Sequence, residues 1–299
     1  MNESQDRIFE VAPAKINLYL HIQGRRSDGM HLVDSLIVFA DQGDIINVSP
    51  SKDILIDRCG PMADGLPPIQ DDLVYHATKL LAKIARVRVG AKIGVKKNLP
   101  IASGIGGGSA DAAATIRALL KLWKITLTPS ELLIITQKLG ADTAVCLRSR
   151  PTRVTGIGEK LAETNSMAPL FAVLVNPGCI LTTKTVFASF LSNGAIKNVE
   201  SLIPLNWSRD PYLLISQLRM QRNDLTEAAI TLFPIINDVL NNLHSQPNCL
   251  LQRMSGSGAT CFGLFPSLHE AKSAAESIKH ENDCWWVKAV ALNTNVASI

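Results

Sequence analysis

Four glycines stand within five positions, Gly104, Gly106, Gly107 and Gly108, directly ahead of a segment with helical spacing. Glycine lets the backbone take φ > 0 and lets a ligand come close to main-chain amides. A helix start adds unpaired N–H groups and a partial positive charge. Together these make an anion site, most simply one for phosphate. Ser109 adds a hydroxyl at the helix start, and would serve as N-cap if the glycines only form a tight turn. Positive φ is expected within this run, Gly107 included. Asp142 lies two residues past Gly140. It is either a cap for the next element or a base that takes a proton from an acceptor hydroxyl. Lys15 shares one face of a strand with Asn17, a place where lysine is ordinarily solvated.

The loop fits none of the commoner phosphate binders. Gly108 is followed by Ser109 and Ala110, so the lysine of a P-loop is missing. The dinucleotide fingerprint fails too, because its third glycine is Ser109 and residues 121–130 hold no Asp or Glu. Neither HRDxxxxN nor DFG occurs, which excludes a protein kinase.

Several elements must hold these groups. Ile16, Leu18, Leu20 and Ile22 alternate, with Lys15, Asn17, Tyr19 and His21 between them, so a strand is expected that Pro13 opens. A turn at Gly24–Gly29 leads to apolar residues 32–39, then short strands at 44–48 and 53–56. Residues 57–70 read as loop, 71–85 as a helix begun by Asp71 and Asp72, and 87–95 as a strand. Ser109–Lys124 follows as a helix with Ala112, Ile116, Leu119, Leu120 and Trp123 on one face. Thr128-Pro129-Ser130-Glu131 is a capping box for a helix that Gly140 ends. Beyond residue 160 the pattern gives strands at 170–175, 249–254, 259–265 and 285–292. Helices are expected at 182–190, 224–243 (broken near Pro234) and 268–279, with 192–211 as loop. Two strand–helix–strand halves suggest a ferredoxin-like sandwich.

The 299 residues suit two domains, and 46% hydrophobic against 19% charged is an ordinary globular balance. The longest apolar run, Leu170–Val175, is far below the roughly 20 residues that span a bilayer. A net charge of +4 and 5% aromatics suit an anionic small molecule better than nucleic acid. Six scattered cysteines without a CxxC pair, and histidines without HExxH, offer no metal motif. Reduced thiols and a polar N-terminus without a signal region lead to the expectation of a cytoplasmic protein with no membrane partner.

Five segments, in order, resemble the GHMP small-molecule kinases: Pro13–Leu18 (PAKINL), Asp28–His31 (DGMH), Leu99–Ala113 (LPIASGIGGGSADAA), Leu139–Asp142 (LGAD) and Arg253–Ala259 (RMSGSGA). The resemblance runs over nearly the whole chain. It implies an α+β fold of two domains: an N-terminal nucleotide-binding domain (1–158) and a C-terminal ferredoxin-like sandwich (159–299), with the active site between them. The first and fourth segments narrow it to the branch that phosphorylates the 2-hydroxyl of a cytidyl diphospho-methylerythritol, in the non-mevalonate route to isoprenoid precursors. A kinase of the sugar, homoserine or mevalonate type is the alternative. A non-catalytic RNA-binding module, the remaining reading, gives Asp142 and the glycine loop no reason to occur together.

The same resemblance implies roles. ATP and Mg²⁺ are the expected cofactors, with the metal ligands left open. Asp142 becomes the catalytic base and Lys15 its partner, which keeps it ionised and offsets charge on the transferring group. Nucleotide contacts fall to Lys97, Pro100, Ser103, Gly104, Gly106, Gly107, Gly108, Ser109 and Ala110. Substrate contacts fall to Asn17, His31, Thr183 and Phe187, with His31 against the cytosine edge and Phe187 as a wall. Met30 stands where the family commonly has tyrosine. A methionine can still lie over a ring through its sulfur. Gly256-Ser257-Gly258 is expected to close over the phosphates. A monomer or weak homodimer is expected.

Overall fold

The alternation at Ile16–Ile22 belongs to a far longer strand. A computed structural model describes residues 7–164, 167–192, 203–204 and 206–293, so much of the expected 192–211 loop lies outside the described residues. In it β1 (Ile8–Arg25) and β2 (His31–Ser51) form one long antiparallel ribbon. Pro13 does not open the strand. It lies inside it, at a register break between Pro13 and Lys15, where a missing N–H is tolerated because the ladder is already interrupted. A second break falls between Asn17 and Tyr19 and exchanges the faces. Lys15, Asn17 and Leu20 look into one cavity, while Tyr19 joins Ala14, Ile16 and Leu18 in the opposite core. The expected shared face of Lys15, Asn17, Tyr19 and His21 is therefore split. It is also dry: Lys15 is 4% and Asn17 3% exposed.

The N-terminal half continues with β3 (Ile54–Cys59), α1 (Leu73–Ile84), β4 (Gly90–Lys96), α2 (Gly107–Trp123), α3 (Pro129–Leu139), α4 (Ala141–Arg148), β5 (Thr152–Gly156) and β6 (Lys160–Glu163). β4 lies between β3 and β2, β1 and β5 also pair with β2, and β6 pairs with β5. Asp72 caps α1 by accepting from the Val74 N–H, and the Thr128–Glu131 capping box opens α3 with Pro129 in its first turn. Alanine-rich α2 packs its apolar side with α1 over the sheet, where Ile46, Ile93, Leu81 and Ile116 are buried. Short α4 and the β5–β6 hairpin are additions to the elements expected from the sequence. Residue 158 sits in that hairpin's turn, so a division at 158/159 would separate β5 from β6, with which it pairs.

The C-terminal half comprises β7 (Leu170–Asn176), α5 (Thr183–Ser192), α6 (Pro211–Arg219), α7 (Thr226–Leu232), α8 (Ile235–Ser245), β8 (Leu251–Met254), β9 (Cys261–Phe265), α9 (Leu268–Glu281) and β10 (Trp286–Leu292). Its all-antiparallel sheet runs β10-β7-β9-β8. The fourth, first, third and second strands in that spatial order make the ferredoxin-like sandwich expected from the sequence. α6 begins at Pro211, with Asp210 accepting from Leu213 N, where the sequence reading ends a loop. The halves meet along a shared core in which Ile16 and Leu18 pack with Leu174, Leu214, Leu218 and Phe262. One strand pair, Leu292 with Ala40, joins the sheets. Among the described residues no helix is long and apolar enough to cross a membrane.

Candidate functional site

The glycine loop delivers four amides to one point. α2 starts at Gly107 with Gly106 as N-cap, so the N–H groups of Gly106, Gly107, Gly108 and Ser109 have no intrahelical acceptor. Ser109 is therefore not the cap. Ala110 does not line the cavity: its N–H donates to Gly106 O at 2.8 Å, and its side chain is buried. Positive φ falls on Gly104 (+76°) and Gly106 (+68°), whereas Gly107 and Gly108 are helical. The left-handed conformation expected at Gly107 thus belongs to the two glycines that flank Ile105. Any Cβ on Gly104 would stand 2.5 Å from Ser255 O and 2.6 Å from Gly258 O, so two backbones meet there. One on Gly106 would stand 3.0 Å from Lys15 Cε.

Lys15 lies across that glycine. Its N–H donates to Ile105 O at 2.9 Å, and its Nζ donates to Asn17 Oδ1 at 2.9 Å. The same ammonium is 3.5 Å from Asp142 Oδ2. Gly140 (φ +103°) ends α3 and begins α4, which sets Asp142 in the first turn of α4, a favourable place for a carboxylate. It caps nothing there. Its side chain is half exposed, toward the cavity.

That cavity measures about 570 Å³ and lies between the halves. Of the residues picked out in the sequence, Lys15, Asn17, Ser103, Gly104, Gly106, Gly107, Gly108, Ser109, Asp142, Thr183 and Phe187 line it. The Thr183 and Ser257 hydroxyls are 3.0 Å apart and close one wall. His31 stands just outside the lining, its ring centroid 4.6 Å from that of Phe187, with Nε2 buried and unpartnered. Burial, helped by Arg25, holds its imidazole below the ordinary histidine range, so it is neutral near pH 7. Met30 is exposed on the Arg26–Met30 turn and does not wall the cavity.

Lys97 and Pro100 stand apart from this lining. Lys97 is 3% exposed, and its Nζ donates to Asp44 and, at 2.5 Å, to Asp111 Oδ2. Asp44 Oδ1 also accepts from Asn98 N and Leu99 N. One ammonium cannot neutralise two sealed carboxylates. Burial, with Asp44 beside it, holds the Asp111 carboxyl well above the carboxylate range despite Lys97. The lysine braces the loop from behind, its Nζ 3.7 Å from where a Cβ on Gly107 would stand. Pro100 only lends its carbonyl to the Ser103 hydroxyl, at 2.6 Å.

The Gly256–Gly258 turn also differs from expectation. Gly256 and Ser257 reach the cavity, but the turn mainly supports the glycine loop from behind. Ser255 Oγ accepts from Asn17 N at 3.1 Å and donates to Gly104 O at 3.3 Å, and Thr260 N donates to Ser103 O at 3.1 Å. Sequence reasoning does not single out Ser35, Ser255, Leu20 or Leu225. Ser35 is hidden in the apolar stretch 32–39, Leu20 reads only as a core-facing position of an alternating strand, and Ser255 inside the RMSGSGA segment has no chemistry of its own to mark it. Among the described residues no three His, Cys, Asp or Glu side chains gather to hold a metal.

Comparison with known proteins agrees with this geometry. Residues 72–150 match the family description "GHMP kinases N terminal domain" and residues 189–283 match "GHMP kinases C terminal". A 4-diphosphocytidyl-2-C-methyl-D-erythritol kinase of Ruegeria pomeroyi is 48% identical over 93% of this chain and 97% of its own. A crystal structure of 4-(cytidine 5'-diphospho)-2C-methyl-D-erythritol kinase superposes with a TM-score of 0.76 at 28% identity, covering 96% of this chain and 100% of that one. A homoserine kinase from Cytophaga hutchinsonii shares the fold, with a TM-score of 0.71 at 19% identity over 97% of this chain and 96% of its own.

Proposed function

The chain belongs to the GHMP kinase family, among the 4-diphosphocytidyl-2-C-methyl-D-erythritol kinases, and on that premise we propose how its cavity carries out the transfer. ATP gives its terminal phosphoryl group to the 2-hydroxyl of 4-diphosphocytidyl-2-C-methyl-D-erythritol. The observation that carries this reading is the Lys15–Asp142 pair, 3.5 Å apart and facing the glycine loop.

The amides of Gly106 to Ser109 hold phosphate oxygens, with Ser103 and Gly104 shaping the approach. Asp142 accepts the proton of the acceptor hydroxyl as the new P–O bond forms. Lys15 pairs with Asp142 and faces the charge on the transferring group. Asn17 and Thr183 orient the methylerythritol end. Phe187 and His31 take the cytosine, the ring against one face and the unpartnered Nε2 toward its polar edge.

Mg²⁺ ordinarily binds through phosphates, waters and one or two carboxylates. The lining leaves Asp142, its single carboxylate, to the proton transfer and sets the Ser109 hydroxyl at the phosphate end. That hydroxyl and the phosphates themselves would hold the ion, which would neutralise phosphate charge. The two-domain division falls after Glu163, which keeps the β5–β6 hairpin whole.

The test is a coupled ADP-release assay offering the cytidyl acceptor beside galactose, homoserine and mevalonate. Turnover confined to the cytidyl compound supports the reading. Turnover of another acceptor in its place would move the chain to a different branch of the family.

A further inference from the structure

We propose that Ser35 is a positioning residue for this transfer: its hydroxyl fixes which way round the Asn17 amide sits, and through it aims the Lys15 ammonium at Asp142. The inference rests on the functional reading above.

Ser35 lies on β2, 2% exposed, beside the second register break of β1. A serine hydroxyl has one proton and two lone pairs. That proton goes to Tyr19 O, 2.5 Å away. The oxygen can then only accept, and what it faces, at 2.7 Å, is the Asn17 amide. The NH₂ of Asn17 must therefore point to Ser35. Because the amide is planar, its carbonyl oxygen points the other way, to Lys15 Nζ at 2.9 Å. A flipped amide would set NH₂ against an ammonium and a carbonyl against lone pairs, two repulsive contacts in place of two bonds. With one proton given to Asn17, the ammonium lies 3.5 Å from Asp142.

The chain of direction starts at a main-chain carbonyl. The break between Asn17 and Tyr19 lets the two residues present an amide side chain and a carbonyl to the same serine, which an unbroken ladder would not do. Ser35 lines the same cavity, and with its proton given to Tyr19 O and its oxygen facing the Asn17 amide it acts through Asn17.

The experiment compares wild type, Ser35→Ala, Ser35→Thr, Ser35→Val, Lys15→Met and Ser35→Ala/Lys15→Met. It reads kcat, KM for ATP, KM for the cytidyl acceptor and melting temperature. Losing one partner of a buried bonded pair should cut kcat of Ser35→Ala by about 5- to 100-fold. KM for ATP should stay within about twofold, because the amides that hold phosphate are elsewhere. Threonine and valine have the same shape and differ in the hydroxyl, so Ser35→Thr should retain kcat and Ser35→Val should not. In the Lys15→Met background, Ser35→Ala should change kcat by less than about twofold, since the group it aims is gone. Equal kcat for the Thr and Val variants overturns the proposal. So does an undiminished loss in the Lys15→Met background, which would mark a general packing defect. Wild type that does not turn over the cytidyl acceptor overturns the functional reading, and this inference with it.

Discussion

Lys15 and Lys97 approach the glycine loop from opposite sides, and both are almost wholly hidden, at 4% and 3% exposure. Lys15 faces a half-exposed carboxylate across an open cavity. Lys97 faces two carboxylates that solvent does not reach. A charge at the wall of a cavity can be shared with whatever enters, whereas a charge sealed with its partners is already committed. Breaking such a sealed group leaves an uncompensated charge in low dielectric, which is expensive. Burial alone therefore says little about role, and what decides it is whether a ligand can take part in the pairing.

The comparison can be broken at either end. The largest effect should come from Asp142→Asn, with kcat falling at least about 10²-fold and ATP binding nearly unchanged. Steady-state kinetics with calorimetric ATP titration would check it, and near-normal kcat would remove Asp142 as the base. Next comes Lys97→Met, which should lower stability by about 3–5 kcal/mol, seen as a large fall in urea midpoint. Lys15→Met should shift that midpoint far less while cutting kcat by less than Asp142→Asn does, to a rate that can still be measured. If Lys97→Met folds as firmly as wild type and weakens only ATP binding, Lys97 is a ligand and the contrast fails.

A smaller effect belongs to the acceptor end. If His31 takes the cytosine edge as proposed, His31→Ala should raise KM for the cytidyl substrate by about 5- to 150-fold while KM for ATP holds. Equal shifts in both constants would place His31 in another role. The smallest effect sharpens the sealed side. Asp111 is held above the ordinary carboxyl range by burial and by Asp44. The unfolded chain releases this proton near pH 3.9 while the folded chain keeps it, so Asp111 makes stability fall as pH rises from about 4 towards the folded value. Asp111→Asn should flatten that region of the stability-against-pH curve, read as urea midpoints from about pH 4 upward. An unchanged slope would mean the carboxyl is already ionised in the fold.

Much of this is legible in the sequence. Period-two runs mark the strands of both sheets, the Thr128–Glu131 box marks the start of α3, and the glycine run marks the amide cluster. The resemblance supplies Lys15 and Asp142 as a pair. What escapes depends on contacts made far along the chain. Nothing local marks a register break, so strict alternation sets Tyr19 and His21 on the face of Lys15. Lys97 reads as a phosphate ligand because it precedes the loop, and only the tertiary placing of Asp44 and Asp111 turns it away. Ser35 sits within an apolar run, where a lone serine carries no signal until its partners are in place. α4 stays hidden because Gly140, which reads as a stop, is also a start.

The glycine loop and the turn that supports it are 151 residues apart, yet Gly104 has no room for a side chain because of that turn. A ribosome makes the loop long before it makes Ser255. Domains usually fold as they emerge, N-terminal first. Here the N-terminal sheet can close over α1 and α2 while Ser103, Gly104 and the Lys15–Asn17 stretch still lack their backing. A chain made only as far as β6 holds the residues of one core but not the backing of its nucleotide cradle. ATP cannot be put to use by a half-made molecule, since competence arrives only when the last quarter of the polypeptide has docked.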